Sequence, residues 1–306
     1  MSFEAFSSGF SRVVKPDATL EKVSGGHIFT EGPVWNGAEN FLVWTDIIGD
    51  TIWKWAPGQG TRAIMQPSGK ADGMTYDHQG RLLVAGWSSR TVWRWEHDGS
   101  TTVLASHVGG KKLNTPNDII MKSDGTVYFT DPSNGIRNVG MECDDVQKYV
   151  DYEAVYKLDL GDGSLTLLVD DFIGPNSFIN PNGLCFSPNE SLLYINDTAR
   201  RNIRVFDVLP DGTIDNDRLF AELFHDDHGG PDGMKVDVEG NVYCTGPGGV
   251  WVTDPRGNHL GRFLVPEDCA NFAFGDPDYR TIYFTARSSV YRMRVEIPGL
   301  PTYPIP

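Results

Sequence analysis

Three observations predict an all-β fold for this 306-residue chain, a six-bladed β-propeller of four-stranded blades. A short motif recurs in which an acid or amide, usually followed by a small or apolar residue, opens a strand: Glu31-Gly32-Pro33-Val34, Asp72-Gly73-Met74, Asn117-Asp118-Ile119, Asn182-Gly183-Leu184, Asp232-Gly233-Met234 and, more loosely, Asn271-Phe272-Ala273. After each comes a turn rich in Gly, Asp, Asn or Pro and then aromatic or aliphatic strands such as Arg81-Leu82-Leu83-Val84 or Thr126-Val127-Tyr128-Phe129-Thr130. The motifs start roughly 40 to 65 residues apart, the span of one blade with some loop insertion, so that six units account for nearly the whole chain.

The elements follow in order. Blade one occupies about 28–64, where Trp53-Lys54-Trp55 alternates as a half-buried strand does, and blade two occupies about 70–105, with Trp93-Arg94-Trp95 repeating the pattern. These tryptophans are expected between blades. Blade three, about 113–169, contains the long connection 132–152, well beyond an ordinary hairpin loop and read as a lid. Blades four, five and six occupy about 178–222, 230–265 and 269–296. Blade six has only three obvious strands before the proline-rich tail 298–306, whereas the strand-like Thr19-Leu20-Glu21-Lys22-Val23 lacks a partner. The segment around 19–23 is therefore expected to form the outer strand of blade six and close the ring, making 1–306 a single domain.

Composition narrows the partners. With 26 Lys and Arg against 41 Asp and Glu the formal charge is −15, which argues against nucleic acid, whose binding needs a basic face. A small polar substrate or a cation suits the balance better. The start Met1-Ser2-Phe3-Glu4-Ala5-Phe6 has neither the basic nor the apolar region of a secretory leader, and no apolar run reaches the length of a membrane span. The expectation is a soluble, cytoplasmic protein with no membrane partner; its oligomeric state is left open. Cys143, Cys185, Cys244 and Cys269 show no paired spacing and read as small buried hydrophobes.

In a propeller the innermost strands surround one axis, so equivalent positions of the repeat converge. Here they are Glu31, Asp72, Asn117, Asn182, Asp232 and Asn271. Buried charges and amides are costly unless paired, hydrogen-bonded or bound to a cation, and three carboxylates and three amides at the mouth of one channel suggest a cation. Because these residues open their strands, the loops joining second and third strands lie on the same face and should border the pocket. Arg137, Arg200, Arg201 and Arg287 lie on such loops. His225-Asp226-Asp227-His228 has the look of a metal cluster but sits in a loop before Gly229-Gly230-Pro231, and His27, four residues before Glu31, is a further candidate for a channel contact. There is no Gly-x-Ser-x-Gly elbow and no P-loop.

Glu31-Gly32-Pro33, Asn117-Asp118, Thr130-Asp131-Pro132, Asn180-Pro181-Asn182-Gly183, Asn196-Asp197-Thr198 and Gly230-Pro231-Asp232-Gly233-Met234 resemble, in order, the motifs of the SMP-30/gluconolactonase/LRE family of six-bladed propellers, over about 31–284. The resemblance implies one divalent cation in the channel held by Glu31, Asn182 and Asp232, with Ca²⁺ placed first and Mg²⁺, Mn²⁺, Zn²⁺ or Fe²⁺ as the alternatives. Asn117 matches a position that contacts metal or substrate. Sugar-lactonase members carry an Arg two residues before that Asn; here Thr115 stands there, so the sugar preference does not carry over, and Asn117, Thr115 and Arg200 are the expected substrate contacts. The implied activity is metal-dependent opening of a sugar-derived lactone to the aldonic acid. Asp232 is the base the family suggests, although a metal ligand is a weakened base, and Asp72 in the same ring is its competitor. Two other readings stand beside this one: a hydrolase of phosphoesters or other esters, and a noncatalytic propeller that binds a ligand or partner protein.

Overall fold

The computed structural model describes residues 2–137, 140–169 and 178–302. Six antiparallel sheets of consecutive strands form the blades of a six-bladed β-propeller. Blade one comprises Thr30–Asn36, Phe41–Asp46, Thr51–Ala56 and Gly60–Met65, innermost to outermost, and blade two comprises Ala71–Tyr76, Leu82–Gly86, Thr91–Trp95 and Thr101–Ala105. Blade three is Ile119–Met121, Val127–Asp131, Ala154–Leu158 and Leu165–Val169; blade four is Pro181–Phe186, Leu192–Asp197, Asn202–Val208 and Ile214–Glu222. Blade five is built on Met234–Val236, Val242–Gly246, Gly249–Thr253 and His259–Leu264, and blade six on Cys269–Gly275, Thr281–Ala286 and Ser289–Arg294.

Blade six gains its outer strand from the front of the chain: Glu21–Gly25 runs antiparallel to Ser289–Arg294, with Glu21 opposite Arg292 and an ion pair of 2.8 Å between them. Covering the exposed edge of a last blade with another part of the chain removes a template for aggregation. The sequence reading placed nothing before that strand, yet Phe3–Ala5 adds a fifth strand to blade five, opposite Gly261–Phe263. Besides its backbone pairing, it is held by an ion pair of 2.8 Å between Glu4 and Arg262 and by apolar packing behind it. Phe10, Val13 and Val14 are essentially inaccessible to solvent, and the Phe10 ring lies 5.4 Å from that of Phe263.

Burial falls from axis to rim. Every residue of the inner strands Thr30–Asn36 and Ala71–Tyr76 is buried, because each is covered on both faces by neighbouring blades, whereas outer strands such as Gly60–Met65 stay half exposed. Aromatic rings fill the wedges between blades. Trp35 of blade one stacks on Tyr283 of blade six at 5.5 Å, and Trp55 lies 5.7 Å from the same ring. Each such buried ring stabilises by about 2–3 kcal/mol through the apolar area it removes from water. Trp93 packs with Val43, Met74 and Tyr76 between blades one and two. His27 belongs to this packing and not to the channel: its ring sits against the edges of Trp44 and Trp53, and its Nε2 meets Ser24 Oγ at 2.8 Å. Burial among these rings lowers its pKa. All four cysteines are free, with Cys143, Cys185 and Cys244 buried.

Candidate metal and substrate site

The recurring acid-or-amide motif is a β-bulge in three blades. Between Glu31 and Val34 the inner strand carries one more residue than its partner, and the same irregularity falls between Ala71 and Met74 and between Pro181 and Leu184. A bulge bends the strand and re-aims one side chain, which is how Glu31, Asp72 and Asn182 are directed off the regular ladder. The glycine that follows each has a separate task. A Cβ on Gly32 would overlap the Asp72 carbonyl, one on Gly73 the Asn117 carbonyl, one on Gly183 the Asp232 carbonyl, and one on Gly233 the Asn271 side chain. Each glycine is thus the place where the next ring residue crosses over its predecessor. Gly32 also adopts φ of 48°, open to glycine at no steric cost.

The six expected positions come together at one end of the channel. Asn117 Nδ2 donates to Asp72 Oδ2 at 2.8 Å, and Asn271 Nδ2 donates to Glu31 Oε2 at 2.9 Å. Asn182 donates to Thr198 Oγ1 at 3.2 Å and also steadies the Asp232 carboxyl. The Asn196-Asp197-Thr198 motif acts behind the ring. Asn196 Nδ2 donates to the Asp232 carbonyl at 2.6 Å, Thr198 Oγ1 donates to the Pro231 carbonyl at 2.7 Å, and Asp197 accepts the Ile179, Ala199 and Arg200 amides. Asp46 does the same work in blade one for Ile28, Phe29 and Gly49.

Acid groups in this ring strain against one another. Burial pushes the Glu31 carboxyl up to about 7, and the Asp118 charge adds to it while the Gly32 amide and Asn271 oppose. Burial first, then the Glu31 charge, raises both Asp72 and Asp232 well above the ordinary carboxylate range. Asp118 is a further buried acid, which the repeat concealed because it stands where the motifs of blades one, two, four and five carry glycine. It is 4% exposed and accepts the Ile119 amide at 2.9 Å and the Leu184 amide at 3.4 Å. Among the described residues no three His, Cys, Asp or Glu side chains close into a metal cage by themselves. The fit to a divalent cation rests instead on the buried Glu31, Asp72 and Asp118 and the partly buried Asp232, whose charged forms are disfavoured by burial and, for all but Asp118, by neighbouring acids, and on the Asn182 amide oxygen beside them, a hard-oxygen donor set.

The remaining expected contacts are placed differently. Thr115 is fully buried, its hydroxyl donating to the Pro132 carbonyl at 2.5 Å and accepting the Gly135 amide at 3.1 Å, so it anchors the long insertion and has no hydroxyl to offer a substrate. Arg200 stands on the ring face, half buried, with Nε 3.8 Å from Asp197. Arg137 pairs with Glu153, and Arg287 with Asp268 at 3.3 Å. His225 and His228 pair with Asp227 and Asp268 at 3.1 and 2.9 Å, in a loop that borders an open depression with Thr198, Arg201 and Gly230. The insertion is fastened to blades two and three. The inaccessible Arg90 donates to the carbonyls of Leu113, Asn114, Asp145 and Gln147, Trp87 Nε1 donates to the Met141 carbonyl at 2.9 Å, and Lys70 Nζ donates to the Glu142 carbonyl at 2.8 Å.

The fold and the site define a six-bladed β-propeller whose inner strands turn acids and amides into one end of its channel. The chain belongs to the SMP-30/Gluconolactonase/LRE-like family, whose profile matches residues 29–288. It is 29% identical to the gluconolactonase of Zymomonas mobilis over 96% of this chain and 86% of that one. The solved gluconolactonase of Xanthomonas campestris superposes with a TM-score of 0.87 at 29% identity, covering 96% of this chain and 95% of that one. Regucalcin of Agrobacterium tumefaciens, a calcium-binding protein, shares the fold with a TM-score of 0.75 at 19% identity over 92% of this chain and 96% of its own. No helix among the described residues is long and apolar enough to cross a membrane.

Proposed function

We propose that this protein hydrolyses a sugar-derived lactone to the corresponding aldonic acid, with a divalent cation held by Glu31, Asn182 and Asp232. The observation that carries this reading is the ring itself: buried, mutually repelling carboxyls beside a carboxamide at one end of the channel. Gluconolactonase-named relatives along nearly the whole chain support the lactone as substrate. The bound cation supplies Lewis-acid polarisation of the lactone carbonyl.

The chain's own residues do the rest. Asp232 is the more exposed residue of the two, only partly buried where Asp72 is 2% exposed and bonded to Asn117, which favours Asp232 as the group that takes the proton from the attacking water. As the ring C–O bond breaks, the same carboxyl returns that proton to the departing oxygen. The Asn117 amide nitrogen is engaged by Asp72, which leaves its carbonyl oxygen to accept a sugar hydroxyl. Arg200 lies on the bordering loop, where it can face an oxygen of the sugar.

The test is a panel of sugar lactones followed by acid release, first after chelation and then after restoring Ca²⁺, Mg²⁺, Mn²⁺ or Zn²⁺ singly. Activity that disappears on chelation and returns with one ion is expected; full activity in chelator overturns the cation. Asp72→Asn separates the two bases. With Asp232 as the base it retains kcat within about tenfold, whereas general-base loss removes about 10²-fold or more. An inactive Asp72→Asn variant with full metal content transfers the role to Asp72.

A further inference from the structure

Lys235 is a cationic neighbour of the ring, and it is not on the substrate side. Lys235 lies on the inner strand Met234–Val236, three residues beyond Asp232, and its side chain lines the cavity of about 270 Å³ in the rear half of the channel. Its Nζ donates to Asn271 Oδ1 at 3.4 Å and stands 5.9 Å from the centre of the Phe272 ring. Among the described residues it forms no ion pair, yet its charge acts on both Glu31 and Asp118. Asn271 is held by both ends. Its oxygen accepts Lys235 Nζ and the Phe272 amide, so its nitrogen is turned toward Glu31.

Four carboxyls and one ammonium do not balance, but they are far better off than four carboxyls alone. Fixed beneath the ring, the ammonium supplies part of the positive charge that a divalent cation would supply within it. The same ammonium must repel that cation once it arrives, because charges in a poorly hydrated channel are weakly screened. These two consequences have opposite signs and can be measured separately.

We propose that Lys235 is the ring's built-in counter-charge: it stabilises the protein when no metal is bound, orients Glu31 through Asn271, and lowers the ring's affinity for a divalent cation. The proposal rests on the reading of Glu31, Asn182 and Asp232 as metal ligands. It makes metal release a property set by a residue that touches neither metal nor substrate.

Lys235→Met and Lys235→Arg test it, with thermal unfolding in excess chelator and calorimetric titration with Ca²⁺ and Mn²⁺. Lys235→Met is expected to lower the metal-free Tm by several degrees, to bind the ion at least about fivefold more tightly, and to recover most of its Tm at saturating ion. Lys235→Arg, which keeps the charge, stays near the wild type in both measurements. A folded Lys235→Met whose affinity is unchanged or weaker overturns the proposal, since a merely structural lysine would not strengthen binding when lost. If wild type and Glu31→Gln both fail to bind either ion, the metal-ligand reading fails instead. Should Lys235→Met not fold, Lys235→Gln carries the same prediction.

Discussion

The two halves of the central channel are made by the same six inner strands and are chemically opposite. At the end where the strands begin stand Glu31, Asp72, Asn117, Asn182, Asp232 and Asn271; a few residues further along, Val34, Met74, Ile119, Phe186 and Phe274 line the apolar rear cavity. The rear is mostly what burial favours, apolar side chains in a place with little water, with Lys235 as the charged residue that reaches into it from beneath the ring. The front is costly in every term, with carboxyls raised by burial and by one another and held by neighbouring amides. A propeller needs the rear to fold and the front only to act, so changes to the two should separate stability from activity.

Glu31→Gln should widen that separation most. It removes the proposed metal ligand and a buried charge at once, so activity is expected to fall by about 10³-fold while the metal-free Tm rises; loss of activity with a lower Tm would make Glu31 a structural residue. Next in size is Gly233→Ala, whose Cβ overlaps Asn271. It should cost about 1–3 kcal/mol in denaturant unfolding and weaken metal binding as well, because Asn271 can no longer meet Glu31. Unchanged affinity would show that the Asn271–Glu31 bond is dispensable.

The pH dependence of the metal-free protein comes next. Burial pushes the Glu31 carboxyl up to about 7 in the folded protein, from an ordinary value of 4.5, so the folded state keeps a proton that the unfolded chain releases. Stability from this group is full below about 4.5 and is lost as pH rises through about 7. The Tm in chelator is therefore expected to fall across that window, and Glu31→Gln should flatten the fall. Metal affinity should rise over the same window, since binding displaces the proton; calorimetry in buffers of different ionisation enthalpy would register its release. The smallest effect belongs to the rear half. Ile119→Val, at a position 1% exposed, should cost about 0.5–1.5 kcal/mol and leave metal affinity and kcat unchanged.

The contrast also marks what could be read from the chain directly. Spacing of the acid-or-amide motifs was enough for six blades and for the set of residues at the channel end, because a closed ring converts sequence period into spatial coincidence. The small residue after most of these acids and amides was legible too, as part of the motif that opens each strand; only the packed strands reveal it as a crossing point for the next ring residue. Asp118 was hidden because the repeat puts glycine there in blades one, two, four and five. The N-terminal strand Phe3–Ala5 was hidden because three residues carry too little pattern, and its anchor is Phe10 packing against a blade more than two hundred residues away. His27 was misplaced because distance along the chain from Glu31 says nothing about which way a side chain turns.

By itself, then, the sequence determined the period, and with it the number of blades and the identity of the polar residues that share an axis, since both depend only on repetition and strand chemistry. The tertiary structure decided how those residues meet. Which amide bonds which carboxyl, how strongly the acids disfavour one another's charge, that Arg90 fastens the insertion and that Lys235 stands beneath the ring are all matters of contact between different blades. Such contacts join residues tens to hundreds of positions apart, and their energies depend on distances and burial that exist only once the ring has closed.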